Sequence, residues 1–396
     1  MPRRCLALLA ATSLGVAALA GVDPGLTWAY PKEGPARPPG MYHVEGSPLP
    51  PMSKEQLDAL TVPPDWLPNL HPALPFIVGQ IRKGGAYACA ACHQIEGQGN
   101  LSTAGLAGLP AGYILEQIRE FRDGRRVSSD PKRHETEGMI AEAKRLTEAD
   151  AAEAAAYFAA VRPQPWVEVV EVATVPRTLV GRLDWLYVDP KGGSEPIDGR
   201  IIELARDLVG MMNGDPRVVT IDYVPPGSVA QGAILARRPN ASGQTCATCH
   251  GDAMQGTPLA PPLAGRYASY FARMLWDIKS GARQGPTVAL MQPVVAPLTP
   301  AEITALSAYL ASLSPPSGPP PAFLGLPVAP APPAGRGKRE SCAFRNSMLP
   351  RIEASWAIML STALQAWTTV PWSRPPRASV DPKRDRTGAG DLVVIG

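Results

Sequence analysis

The sequence predicts a mainly α-helical fold of two similar domains, joined by a small β-containing connector and followed by a Pro-rich linker and tail. A Cys-x-x-Cys-His run occurs twice, at 89–93 and 246–250, and the residues that follow each run also match. Among the 396 residues, aromatic side chains are only 6%, whereas Pro (46) and Gly (37) are abundant. This composition suits short helices joined by long loops, with a bound group filling part of each core.

The chain begins with a short basic stretch, Met1–Arg4, and an apolar stretch from Cys5 to about Gly21. The apolar stretch is too short for a comfortable membrane span but is typical of a signal peptide. Ala18-Leu19-Ala20 is a cleavage candidate and Thr27-Trp28-Ala29 a weaker one, and we assign residues 1–29 to the leader. We therefore expect a periplasmic protein, with an uncleaved leader as an alternative that would anchor it to the membrane.

Each Cys-x-x-Cys-His run has the spacing of a c-type haem attachment site. Two thiols three residues apart can add across the two vinyl groups of one haem, and the thiols concerned are those of Cys89, Cys92, Cys246 and Cys249. The next residue in each run is a histidine, His93 or His250, whose imidazole can ligate the iron. We therefore expect two haem c groups.

Zinc ribbons and dithiol redox sites also use Cys-x-x-Cys pairs. A zinc ribbon needs both pairs at one metal, and these pairs are 157 residues apart. A dithiol site has no use for a histidine after the second Cys in both copies. The 38 basic and 35 acidic residues nearly balance, so net charge selects neither a nucleic acid nor a membrane as partner.

An internal repeat defines two domains, at 70–162 and 225–314. At an offset of 157 the aligned residues include Leu106-Ala107-Gly108 with Leu263-Ala264-Gly265, Tyr113 with Tyr270, Gly124 with Gly281 and Arg126 with Arg283. After a five-residue deletion the offset becomes 152, and the aligned pairs are Met139 with Met291 and Tyr157 with Tyr309. A match on both sides of one gap indicates two copies of a single domain.

Three helices per domain can be located. Apolar spacing predicts helices over Tyr113–Arg122 and Tyr270–Lys279. Capping boxes at Thr147/Asp150 and Thr299/Glu302 predict the start of each last helix. First helices are expected near Pro75–Arg82 and from Gly227-Ser228, where Gly232 would let the first helix cross closely against the last.

The segments outside the repeat are harder to interpret. Residues 30–69 form a Pro-rich N-terminal extension, and residues 163–224 a connector with strands at Trp166–Val175, Leu183–Val188 and Arg217–Tyr223. Residues 315–396 comprise a semi-rigid Pro-rich linker and a tail. The apolar stretch at Ala354–Val370 could anchor the tail in a membrane, although a disordered or partner-docking tail is preferred.

These features together resemble class I cytochromes c in tandem dihaem form. The resemblance rests on the two haem motifs, the Leu-Ala-Gly downstream of each, the helix opening at Tyr113 or Tyr270, a Met before a capped last helix, and Tyr157 or Tyr309 inside that helix. It covers about half of the chain. In this family the His of the motif is the proximal iron ligand, and a Met from a later loop is the distal ligand.

The candidate distal ligands are Met139 and Met291, because a thioether favours Fe(II) and must fold back over the haem from well after the motif. In the first domain His134 is a competitor, since Met291 aligns with it when no gap is allowed. The remaining methionines considered, Met254 and Met274, are better assigned to the core. The remaining histidines considered, His43 and His71, are expected to be surface residues.

Basic residues cluster after each haem motif. They are Arg119, Arg122, Arg125, Arg126, Lys132 and Arg133 in the first copy, with Arg266, Arg273, Lys279 and Arg283 in the second. Such charges could steer an acidic redox partner to a haem edge. We favour a solvated helix face instead, with Glu116 and Glu120 at pairing distance.

The sequence therefore predicts an exported dihaem electron carrier that exchanges electrons with redox partner proteins and has no catalytic residues. One alternative is a cytochrome subunit of a dehydrogenase or oxidase complex, which the connector and tail motivate. Another is a dihaem peroxidase-like enzyme, which would need an open iron site and acid–base groups such as His134 and Glu135.

Overall fold

The computed structural model describes five stretches of the chain: residues 24–29, 39–81, 85–131, 133–180 and 185–324. The cleavage candidate at 18–20 and the tail stretch at 354–370 lie outside these residues. Among the described residues no single helix is long and apolar enough to cross a membrane, although the bent pair Pro286–Val295 and Pro300–Ser312 meets the length and composition criteria together.

The N-terminal region is folded onto the rest of the protein. Its elements are a 3-10 helix at Pro24–Ala29, the antiparallel strands β1 (Met41–Tyr42) and β2 (Met52–Ser53), and helix α1 (Lys54–Ala59). Leu26 and Ala29 are each 1% exposed, and Leu26 belongs to the hydrophobic core of the second domain. The indole of Trp66 donates to the Asn213 carbonyl of the connector at 2.8 Å.

The first domain contains helices α2 to α6. They span Phe76–Gly79 (α2), Ala90–His93 (α3), Ala111–Arg122 (α4), His134–Arg145 (α5) and Glu148–Ala160 (α6). The predicted capping box is confirmed, because the Thr147 hydroxyl accepts from the Asp150 amide and the Asp150 carboxylate accepts from the Thr147 amide. The predicted first helix is a single turn, α2, rather than a helix over Pro75–Arg82.

The connector is a set of small sheets with one short helix. Its elements are β3 (Val167–Glu171), β4 (Thr174–Pro176), β5 (Thr178–Val180), β6 (Leu186–Val188), β7 (Ser194–Pro196), β8 (Ile202–Ala205), α7 (Leu208–Asn213) and β9 (Thr220–Val224). Strand β9 is central, parallel to β3 and antiparallel to β8. The other strands pair as β4 with β7 and β5 with β6.

A buried carboxyl pair fastens the connector to the second domain. Glu203 on β8 and Asp222 on β9 lie opposite each other in register and are 4% and 0% exposed. They accept from the backbone amides of Ser269 (2.6 Å) and Ala268 (2.8 Å). Burial raises the pKa of both carboxyl groups, and for Asp222 the neighbouring Glu203 raises it further.

The second domain contains helices α8 to α12. They span Ser228–Arg237 (α8), Cys246–His250 (α9), Ala268–Ser280 (α10), Pro286–Val295 (α11) and Pro300–Ser312 (α12). The predicted capping box at Thr299 and Glu302 is confirmed. So is the close helix crossing, because a Cβ on Gly232 would lie only 2.0 Å from the Ala305 carbonyl oxygen of α12.

The first part of the Pro-rich linker is docked onto the first domain. Phe323 packs against the hydrophobic cluster of that domain and meets the Tyr113 ring edge-on at 5.7 Å. The next amide, Leu324, donates to the Pro258 carbonyl of the second domain at 3.0 Å. The segment predicted as a semi-rigid linker is therefore fastened to the haem domains up to residue 324, by the Phe323 ring and by the Leu324 amide.

Candidate haem sites

Both Cys-x-x-Cys-His runs form a single helical turn, α3 or α9. The four thiols are free, and burial raises the pKa of each, to about 12 for Cys89. A reactive dithiol site needs lowered thiol pKa values instead. Within the described ranges, no three His, Cys, Asp or Glu side chains are grouped as a metal-binding cluster. Neither alternative to haem attachment has support in this geometry.

The two motif imidazoles are held in the same way. His93 donates from Nδ1 to the Ala104 carbonyl at 2.8 Å, and His250 from Nδ1 to the Pro261 carbonyl at 2.7 Å. Each acceptor lies 11 residues after its histidine. Burial lowers the pKa of both imidazoles, which favours the neutral ring. A neutral ring with its proton on Nδ1 leaves the Nε2 lone pair for iron.

The Leu-Ala-Gly motif closes the loop that carries each of these acceptors. In the first domain the Leu106 and Ala107 amides donate to the Gly97 carbonyl. In the second domain the Leu263 and Ala264 amides donate in the same pattern to the Met254 carbonyl. The Met254 residue is fully buried. The assignment of Met254 to the core is confirmed.

Met139 and Met291 lie on helices α5 and α11, not on loops as expected. Both side chains are partly buried. Met139 packs against the same hydrophobic cluster as Cys89, and Met291 against the same cluster as Cys246. Each methionine therefore contributes to the core that contains the first thiol of its own domain.

The other histidines differ in exposure. The side chain of His134 is 87% exposed at the start of α5, 4.0 Å from the Glu137 carboxylate. His43 is exposed, as predicted. The prediction for His71 is wrong, because its side chain is 3% exposed and pairs with Asp65 at 3.1 Å. His71 also lies edge-on to Tyr157, with 6.2 Å between ring centroids.

The domains meet across an approximate twofold axis. The Val127 amide donates to the Ala282 carbonyl at 3.0 Å, and the Gln284 amide to the Arg125 carbonyl at 2.7 Å. These two bonds exchange equivalent residues of the repeat, as a twofold interface requires.

Side chains follow the same symmetry. The Arg283 guanidinium donates to the Tyr113 hydroxyl at 2.9 Å, and the Arg126 guanidinium to the Tyr270 hydroxyl at 3.5 Å. Arg126 also reaches the Met274 sulfur at 3.3 Å. Met274 is therefore part of the interface between the domains.

Three arginines place positive charge at this interface, and Asp277 interacts electrostatically with two of them, Arg126 and Arg283. Among the described residues, none of the guanidinium groups of Arg126, Arg266 and Arg283 has a carboxylate partner within hydrogen-bond distance. The Nε atoms of Arg266 and Arg283 are buried without any partner. Buried cations of this kind need anions. The two propionate carboxylates that every haem carries have the required charge, so the residues fit the predicted group.

Among the basic residues that the structure describes, some are buried and others are paired near the surface. Arg126, Arg133, Arg273 and Arg283 are buried. Arg119 and Arg122 pair with Glu148, whereas Arg125 pairs with Glu120, one of the two predicted partners. The amino-acid pattern did not reveal the burial of Arg126 and Arg283, because these two side chains lie where the two copies meet.

Comparison with known proteins agrees with this geometry. The family model for cytochrome c matches residues 85–161 and 240–314. Cytochrome c-554(548) of Halomonas halodenitrificans is 36% identical over 69 residues, which are 17% of this chain and 83% of the relative. Cytochrome c4 of Pseudomonas aeruginosa is 27% identical over 235 residues, covering 58% of this chain and 85% of the relative.

A third relative is named for its partner. The thiosulfate dehydrogenase electron acceptor of Stutzerimonas stutzeri is 40% identical over 79 residues, 19% of this chain. The match spans only 35% of that relative's length. With two cytochrome c domains and relatives of the cytochrome c4 type, the chain carries two haem c groups. The protein belongs to the cytochrome c family, as a tandem dihaem c-type cytochrome.

Proposed function

We propose that this protein is an exported electron carrier that passes electrons between redox partner proteins through two His/Met-ligated haems. Cys89 and Cys92 hold the first haem covalently, and Cys246 and Cys249 the second. The observation that carries the proposal is the matched pair of imidazole hydrogen bonds, from His93 to a carbonyl and from His250 to its equivalent.

When bound, each haem supplies an iron that cycles between Fe(III) and Fe(II). The chain's own residues orient the histidine ligands and set the potential of each haem. The carbonyls of Ala104 and Pro261 hold a proton on each Nδ1 and fix the plane of the ring. Met139 and Met291 supply an uncharged soft ligand from partly buried positions, which raises the potential of a His/Met haem. If His93 with Met139 and His250 with Met291 ligate the two irons, no ligand position would be left for substrate chemistry.

Ligation is tested by optical spectra of the oxidised holoprotein and its variants. We expect Met139→Ala and Met291→Ala each to remove half of the far-red band that a Met–Fe(III) bond produces. His134→Ala is the matched control in the first domain and should leave the band intact, because the ring is largely in solvent. A full band in Met139→Ala with loss in His134→Ala would contradict the assignment.

A dehydrogenase is the partner class favoured by the comparison, through the relative named as an electron acceptor. In that case this chain would act as its cytochrome subunit or as a separate acceptor. Stopped-flow reduction of the holoprotein by a purified thiosulfate dehydrogenase, compared with reduction by dithionite, tests this. A peroxidase-like activity has less support, because His134 and Glu135 are not gathered in an enclosed site.

The burial of Leu26 and Ala29 helps to locate the cleavage site of the leader. Cleavage after Ala29 would remove Leu26 and the Ala29 carbonyl, which accepts from the buried Arg273 guanidinium at 3.2 Å. This packing supports cleavage after Ala20, with residues 21–29 kept in the mature chain. Amino-terminal sequencing of periplasmic protein should begin at Gly21. A start at Tyr30 would restore the original boundary, and Met1 would indicate an uncleaved leader.

A further inference from the structure

The twofold symmetry of the interface is broken beside the first haem motif. Arg266 of the second domain donates from Nη1 to the Gly105 carbonyl at 2.9 Å and from Nη2 to the Ala107 carbonyl at 3.0 Å. At the repeat offset of 157, the equivalent of Arg266 in the first domain is Leu109, an apolar residue that is 7% exposed. No reciprocal pair of bonds to the second motif can therefore form from that position.

Arg266 hydrogen-bonds to the same segment that orients His93. The Ala104 carbonyl, one residue before Gly105, accepts the His93 proton. Position 105 must be glycine, because a Cβ there would lie 2.8 Å from the Gln98 carbonyl oxygen. Glycine is the most flexible residue in a backbone. The Ala104 carbonyl, which accepts from His93, therefore lies next to a flexible glycine.

In the second domain the equivalent loop is made stiff by its own residues. The residues equivalent to Ala104 and Gly105 are Pro261 and Pro262. Each proline ring fixes φ near one value, so this loop is stiff without outside help. The first domain lacks these rings and has instead two charge-assisted bonds from its neighbour, which are stronger than bonds between neutral groups.

Arg266 also brings charge. Burial lowers the pKa of its guanidinium, but an arginine side chain remains protonated in proteins. A fixed positive charge beside an iron favours Fe(II), which carries one positive charge fewer than Fe(III). Removing the charge should therefore lower the midpoint potential of the first haem, because the guanidinium contacts the loop of its motif.

We propose that Arg266 is a positioning residue for the first haem: it fixes the loop that orients His93 and raises that haem's potential from the neighbouring domain. This inference rests on the proposed ligation by His93. In the first domain the orientation of the motif histidine then depends on contact with the other domain. In the second domain it depends on Pro261 and Pro262 of the same loop.

The test is a potentiometric titration of the full-length holoprotein, with the two haems resolved by the NMR shifts of their methyl groups. Arg266→Met should shift the equilibrium for sharing an electron between the haems by about tenfold, or about 59 mV for a one-electron step, through a fall at the first haem only. Arg266→Lys keeps the charge but cannot span both carbonyls, so its fall should be smaller and again confined to the first haem.

Arg206→Met is the matched control, because it removes an arginine that is 53% exposed and paired with Glu168 on the connector. It should leave both potentials unchanged. Equal shifts of both haems in Arg266→Met, or no shift, would overturn the proposal. If Arg266→Met does not fold, a first-haem potential of wild-type value in Arg266→Lys would overturn it. Absence of haem or of His ligation in the wild-type protein would instead overturn the proposed function.

Discussion

The two haem domains share the hydrogen bonds around their imidazoles and differ in the helices that surround them. The first helix has four residues in the first domain (α2) and ten in the second (α8). The helix that carries the candidate methionine contains three glutamates in the first domain (α5) and no charged residue in the second (α11). Features that hold the proximal ligand are therefore retained, whereas the packing around them has diverged.

The largest expected difference between the domains comes from Gly232 and Gly138. Gly232→Ala forces a Cβ to within 2.0 Å of the Ala305 carbonyl oxygen, so α8 and α12 must separate. We expect a loss of more than about 3 kcal/mol in the unfolding free energy of the second domain. Gly138→Ala on α5 meets nothing within 4 Å and should gain about 0.5–1 kcal/mol. Thermal unfolding followed by calorimetry measures both, and equal effects would contradict the packing.

A second effect concerns pH and the connector. Glu203 and Asp222 have raised pKa values in the folded protein, so the folded state holds protons that the unfolded chain releases above about pH 4. Stability should therefore fall as pH rises from about 4 towards the folded pKa values, by about 1.4 kcal/mol for each pKa unit. Glu203→Gln should flatten this slope in urea unfolding. Glu168→Gln, which changes an exposed ion pair, should leave the slope unchanged. Parallel slopes in the wild type and both variants would refute the assignment of the pH dependence to the buried pair.

The next effect separates the docked linker from a free one. Phe323→Ala removes a partly buried ring from the cluster of the first domain, and we expect a loss of about 2 kcal/mol. Leu324→Ala is the control, because that side chain is 74% exposed. Chemical unfolding monitored at the haem absorption should distinguish the two variants. Indistinguishable midpoints would mean that the linker is not fastened in solution.

The smallest effect should be the same in both domains. Thr147→Ala and Thr299→Ala each remove the side chain of a capping box, which typically costs about 1 kcal/mol. Matching losses are expected because the two caps have the same geometry. A loss confined to one domain, measured by calorimetry, would show that the repeat is not equivalent at this point.

Local features could be predicted from the sequence and contacts between the copies could not. The haem motifs and the caps at Thr147 and Thr299 depend on residues a few positions apart, so their pattern is visible in the chain. The burial of Arg126 and Arg283 depends on two surfaces meeting and has no local signal. The repeat offset was the one clue, because it aligned these two arginines with each other.

Other differences arose from single residues in an unfavourable context. Phe323 closely follows a run of prolines, so composition did not reveal that its ring packs against Tyr113. Leu26 and Ala29 lie in a stretch whose composition is typical of a leader, yet both are buried. His71 lies in a Pro-rich stretch, and its contacts with Asp65 and Tyr157, which bury the side chain, have no local signal in the sequence.

The central claim is that each Cys-x-x-Cys-His run binds one haem through two thioether bonds. Mass spectrometry of denatured, periplasmically expressed protein tests it most directly, because covalent haem survives unfolding whereas bound zinc does not. We expect the mass of the mature chain plus two haems, reduced to one haem when Cys246 and Cys249 are both replaced by alanine. A mature chain at its bare polypeptide mass would contradict it.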